Sequence, residues 1–129
     1  MDRNEVRKLL IRIGQIKCNQ GILIDDLHKE FENINEDEFL TILSGLATRY
    51  VIRIDGKYSM DCFTLEKYNK IVGLEREGYA AIDAICNDKI WSMTEKFLKD
   101  NDYDNFSFFS AVEVAKKIIE REIDSIIKK

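Results

Sequence analysis

Seven carboxylates fall within fourteen residues: Asp25, Asp26, Glu30, Glu32, Glu36, Asp37 and Glu38. Carboxylates this dense could bind a metal ion, divide acid and base roles, or meet a basic surface. The adjacent pairs Asp25/Asp26 and Asp37/Glu38 suit the first two poorly. Neighbours on a helix point about 100° apart, and helix starts attract acids for dipole reasons alone. The single histidine, His28, cannot build a multi-histidine metal centre, and neither Cys18 nor Cys62 has a sequence link to it. Its expected role is at the surface or in a cap. The chain contains none of the phosphate-cradling, dinucleotide, nucleophile-elbow or zinc-protease patterns. The reading is therefore of a protein that is not an enzyme, with no catalytic residue, metal or cofactor.

The elements that position these acids follow from hydrophobic spacing. Val6, Leu9, Leu10, Ile13 and Ile16 form a one-sided stripe at helical period and predict a first helix over residues 3–16, capped by Asp2. Ile22 to Ile24 predicts a short strand, and Asp25 the cap of a second helix carrying Leu27 and Phe31 and stopping near Asn33. Asn35 followed by Glu38 resembles a capping box, opening a third helix with Phe39, Ile42, Leu43, Leu46 and Tyr50 on one face. Tyr50 to Ile54 then predicts a strand, Asp55-Gly56 a tight turn and Lys57 to Met60 the return strand. The fold class expected is α+β and mainly helical: a winged helix-turn-helix with a β-hairpin wing, followed by C-terminal helices.

Ile71-Val72 suggests a further strand. From Glu75 the pattern is helical, with Tyr79, Ile82 and Ile85 on one face, and Asp88 is the expected cap of a helix carrying Trp91, Met93, Phe97 and Leu98. A last helix, from Ser107 to Ile127, has an apolar stripe broader than a peripheral helix needs. Phe108, Val112, Ile119, Ile123 and Ile126 are its candidates for pairing with a second copy, to give a homodimer. The expected division is 1–74 for the winged helix-turn-helix and 75–129 for a helical extension packed on it.

The 129-residue length suits one domain, and the net charge of −4 is unevenly distributed. Residues 1–24 carry +3, residues 25–48 carry −6, residues 49–76 carry +2 and residues 77–129 carry −3. The acidity thus sits on the helix-turn-helix segment. Apolar runs such as Leu9 to Ile11 are too short to span a bilayer. Cys18, Cys62 and Cys86 are scattered singly, which argues against a disulfide framework or zinc site and for the cytoplasm. No apolar signal-peptide core follows the N-terminus.

Leu74, Gly78, Tyr79, Asp83, Ile85, Asp88 and Trp91, with the stretch from Ala115 to Ile118, resemble domain of unknown function family 2513, a bacterial and phage-associated family. The sequence departs from that pattern at Glu75, where the family has threonine, and at Ala81, where a larger apolar residue is usual. The likeness covers the C-terminal part by residues and the N-terminal part by architecture. It implies a winged helix in a prophage or mobile-element setting and supplies no activity.

Two functions follow. In the first, the acidic helix-turn-helix face (Asp25, Asp26, Glu30, Glu32, Glu36, Asp37, Glu38) binds a basic partner protein, such as a host protein that itself binds nucleic acid. In the second, a DNA-binding transcriptional regulator reaches phosphates through Arg49, Arg53 and Lys57 and the basic first helix (Arg3, Arg7, Lys8, Arg12). The third helix opposes the second reading, because its N-terminal turn, which usually approaches base edges, carries three acids and no base. Phosphate neutralisation supplies much of duplex affinity, so the interaction reading is preferred.

Overall fold

The computed structural model describes residues 2–17, 20–55, 65–103 and 105–127. The fold is α+β and mostly helical, with one small three-stranded antiparallel sheet. Contacts divide the chain into two compact units, cut after Lys8 and Ala80. One comprises Leu9–Ala80; the other joins Met1–Lys8 to Ala81–Lys129. Among the described residues no helix is long and apolar enough to cross a membrane.

In the unit Leu9–Ala80 the elements run in a fixed order. The end of α1 (Arg3–Gly14) is followed by β1 (Ile22–Leu23), α2 (Ile24–His28), a 3-10 turn (Lys29–Phe31) and α3 (Glu36–Thr48). Next come β2 (Ile52–Ile54), β3 (Lys70–Leu74) and the start of α4 (Arg76–Ile85). Leu9, Leu10 and Ile13 are fully buried, as their helical spacing requires. Strand β2 alternates, with Ile52 and Ile54 buried and Arg53 outward.

The sheet order is β1-β3-β2. Ile22 faces Ile71, and Ile52 faces Leu74, with a bulge between Arg53 and Ile54. Strand β2 thus pairs with residues 70–74, and the Asp55 N–H donates to the Lys70 carbonyl at 2.8 Å. The expected return strand 57–60, and Gly56 of the turn before it, lie outside the described residues. The expected Asp25 cap is corrected. Helix α2 starts at Ile24, with Leu23, two residues before Asp25, at the cap position and no side-chain cap. Its early donors are met by backbone, Ile24 N–H bonding the Asn69 carbonyl and Asp25 N–H the Lys67 carbonyl.

Helix α3 begins as its sequence requires: the Asn35 side chain accepts from the Glu38 N–H at 2.8 Å. Phe39, Ile42, Leu43 and Leu46 are buried, but Tyr50, expected on their stripe, is exposed with φ +61°. The reason is the helix terminus. Val51 N–H bonds the Leu46 carbonyl and Tyr50 N–H the Ala47 carbonyl, the Schellman arrangement, which needs a left-handed residue at position 50.

Helix α4 is anchored to the same corner. Glu75 N–H bonds the Val51 carbonyl and Glu77 N–H the Tyr50 carbonyl. Gly78 lies so close that a Cβ would stand 2.0 Å from the Val51 oxygen. The buried side of this turn is thus Gly78, which leaves Tyr79, expected inside, exposed.

In the other unit, α5 (Asp88–Asp100) packs against α6 (Phe108–Ile127), with the Trp91 and Phe108 rings 6.1 Å apart. The cap of α5 is Asn87, which accepts from the Ile90 N–H; Asp88 is already helical. Ile85, Ile90, Trp91 and Leu98 are buried, and the buried Thr94 hydroxyl donates to the Ile90 carbonyl. Ser107 Oγ accepts from the Ser110 N–H and opens α6. The first half of α6 is core: Phe108, Ala111, Val112 and Ala115 are buried, whereas Ile123, Ile126 and Ile127 are exposed. Phe108 and Val112 are therefore corrected from candidate dimer contacts to core residues of their own unit.

Gly78→Ala is expected to lower stability by about 1–3 kcal/mol, because the clash is with a carbonyl that no rotamer change can relieve. An unchanged urea midpoint would contradict this close approach.

Candidate functional site

The geometry of the acidic segment depends on His28. Its Nε2 meets the Ile34 carbonyl, which can only accept, so that nitrogen carries the proton. The imidazole also stacks on Phe39, with ring centroids 4.7 Å apart and planes 25° from parallel. One half-buried side chain thus ties α2 to the turn before α3 and to the core face of α3 itself.

Asp25 and Asp26 occupy the first turn of α2, and Glu36, Asp37 and Glu38 the first turn of α3. Both groups complement the helix dipole. Glu30 is bound by the Arg12 guanidinium through two hydrogen bonds of 2.8 and 3.2 Å. Asp26 lies 3.5 Å from Lys29. Among the described residues, no cation lies within ion-pair distance of Asp25, Glu32, Glu36, Asp37 or Glu38. The acidic face therefore keeps most of its formal charge, which is strongest at the N-terminal end of α3.

The outer face of α3 continues from there with small polar residues. Asp37, Leu40, Thr41, Ser44, Gly45, Thr48 and Arg49, together with Leu65, line an open groove of about 680 Å³. The Thr41 hydroxyl donates to the Asp37 carbonyl and the Thr48 hydroxyl to the Ser44 carbonyl, each at 2.8 Å.

The expected basic residues are mostly engaged. Arg3 makes a two-point contact with Glu95 and donates to the Phe106 carbonyl at 2.8 Å. Arg7 donates to the Ile85 carbonyl, pairs with Asp88 at 2.7 Å and lies over the Trp91 ring. Their side chains are only 12% and 13% exposed. Arg53 lies 3.8 Å from Glu75, and Lys8, largely exposed, lies 4.0 Å from Glu5. Arg49 caps the C-terminal end of α3. Lys57, Cys18 and Cys62 lie outside the described residues.

No family model, curated protein or solved structure matches this chain. Among the described residues, no group of three or more His, Cys, Asp or Glu side chains is placed to hold a metal ion.

Sequence reasoning located the acids but missed the groove beside them. Its available signal was the row Asp37, Thr41, Ser44, Gly45 and Thr48, opposite the apolar stripe at helical spacing. Leu65 carries no such signal, because it joins the groove from a distant part of the chain.

His28→Ala is expected to cost about 1–2 kcal/mol, from one lost hydrogen bond and one lost ring contact. Thermal melts of wild type and variant check this, and a shift within error would show that the ring does not hold the turn.

Proposed function

We propose that residues 9–80 form a winged helix-turn-helix that acts without catalysis as a protein-interaction module. Helix α3 presents its acidic end to a basic partner surface. The order helix, strand, helix, helix, strand, strand, with the strands arranged β1-β3-β2, supports the winged-helix assignment.

One observation carries the interaction reading. Glu36, Asp37 and Glu38 stand exposed and, among the described residues, without a nearby cation at the end of α3 that a DNA-reading helix would point toward the bases. The arginines that could compensate from α1 are already committed to carboxylates and carbonyls of the chain itself. Opposite charge across an encounter surface speeds association and fixes register. A protein that itself binds nucleic acid offers a surface of the required sign. The likeness of residues 74–91 to family 2513 adds a phage or mobile-element setting to this reading and assigns no residue a role.

Duplex DNA titrated at physiological salt should show no binding below about 10 µM, short of ordinary non-specific affinity. A submicromolar, salt-sensitive complex would replace this reading with the regulator one. The triple variant Glu36→Gln, Asp37→Asn, Glu38→Gln should retain wild-type circular dichroism and lose cross-linking to the cellular partner. Undiminished cross-linking would remove the acidic end of α3 from the interface.

A further inference from the structure

Helix α6 changes character along its length. Phe108, Ala111, Val112 and Ala115 in its first half are buried, whereas every residue from Glu120 to Ile127 is exposed. The apolar stripe does not stop where the burial does. Val112, Ala115, Ile119, Ile123 and Ile126 follow one another at spacings of three and four, with Ile127 beside them. The side of the helix that enters the core therefore continues along the exposed turns. Ile119 is half-buried, Ile123 is 50% exposed, Ile126 73% and Ile127 74%.

Nothing within the helix asks for isoleucine on those turns. A β-branched side chain is a poorer helix former than the leucine, lysine or glutamate that a solvated turn favours. Isoleucine gains from burial instead, by about 1.5–3 kcal/mol for a side chain taken fully out of water. Four of them in one stripe make a contact surface.

The charges beside the stripe indicate what fits it. Lys116 and Lys117 accompany its start, and Glu120, Glu122 and Asp124 its later turns, offset only by Arg121. Lys116 lies 3.3 Å from Glu113. Among the described residues, no ion pair engages Lys117, Glu120, Arg121, Glu122 or Asp124. A helix that runs from basic to acidic complements itself when reversed. Two antiparallel copies bring the acidic turns of each against the lysines of the other, whereas a parallel pair sets acid beside acid. With the two-fold axis at Arg121, Ile119 lies opposite the partner's Ile123. Ile126 then covers the aliphatic stem of the partner's Lys116. Lys117 and the partner's Asp124 fall on the same flank, within one residue of level. Two such attractive pairs enclose one like-charge approach, of Glu120 to the partner's Glu120. An anionic membrane suits the stripe poorly, because the exposed turns are themselves net acidic.

We propose that the chain forms an antiparallel homodimer through residues 116–127 of α6, in which the isoleucines of each copy cover those of the other. Phe108 and Val112 take no part. The dimer stands apart from the interaction reading, which concerns the unit Leu9–Ala80.

Sedimentation equilibrium of the full chain, over a series reaching about 1 mM, should show the mass climbing from 15.1 kDa toward twice that value. Ile123→Gln with Ile126→Gln, both at exposed positions, should retain wild-type circular dichroism and weaken dimerisation at least about tenfold. Lys117→Glu alone and Asp124→Lys alone should each weaken it, and the two together, which exchange the charges, should restore it. A chain that is monomeric throughout overturns the proposal, as does a dimer unmoved by the isoleucine variant. A dimer that needs the isoleucines but is not restored by the exchange overturns the antiparallel arrangement. A monomer whose isoleucines bind phosphatidylcholine vesicles would overturn the dimer and give the stripe to a membrane surface.

Discussion

Strand β3 is the element on which the unit Leu9–Ala80 depends. It lies between β1 and β2, so among the described residues both ladders of the sheet pass through it. The residues just before it do further work: the Lys67 and Asn69 carbonyls accept the first N–H groups of α2, and Lys70 accepts from Asp55. The residues just after it lead into α4, whose first turn closes on Tyr50 and Val51. A span of about ten residues thus ends one helix's search for partners, centres the sheet and begins another helix. Ile71, fully buried at its middle, anchors that span in the core.

That arrangement explains which features could be read from the sequence. Helices α1, α3, α5 and α6 and strand β2 were legible because each carries its own period, and Asn35 because a cap acts on a donor three residues away. The pairing of β2 with β3 was not legible, because it joins Ile52 to Leu74 across a long connection that leaves no local signal. The expected caps at Asp25 and Asp88 failed by two residues and by one. In the first case backbone carbonyls supplied what a side chain was expected to supply. In the second, Asn87 already filled the place and Asp88 was left to pair with Arg7. Tyr79 was placed inward by spacing alone, but a close backbone approach reserves that side for Gly78. The acidic residues were visible by composition. The groove beside them was not, because Leu65 joins it from a distant part of the chain.

The charge map changes when it is counted in pairs. By sequence the first 24 residues are basic at +3. In the structure Arg3 and Arg7 are largely covered and turned toward partners within their own unit, and Arg12 grips Glu30. These contacts differ in weight. The two-point Arg3–Glu95 pair is shielded on both sides, whereas Asp88 is 93% exposed and its pairing with Arg7 contributes little by itself. Arg7 is held more by the Ile85 carbonyl and the Trp91 ring. The basic start of the chain is therefore mostly a fastening device. Among the described residues no cation pairs with the acids of α3, so beyond complementing the helix dipole their charge is turned outward.

The discontinuous unit has a consequence for biosynthesis. Residues 9–80 are contiguous, so the ribosome delivers all of their contacts as one uninterrupted stretch. Residues 3–7 have no such advantage: Arg3, Asn4 and Arg7 bond to Glu95, Phe106, Trp91, Ile85 and Asp88, which are translated 78 to 103 residues later. These side chains must wait for the helices that hold them. An early stop codon would therefore strand the N-terminal arginines as well as delete the closing helices.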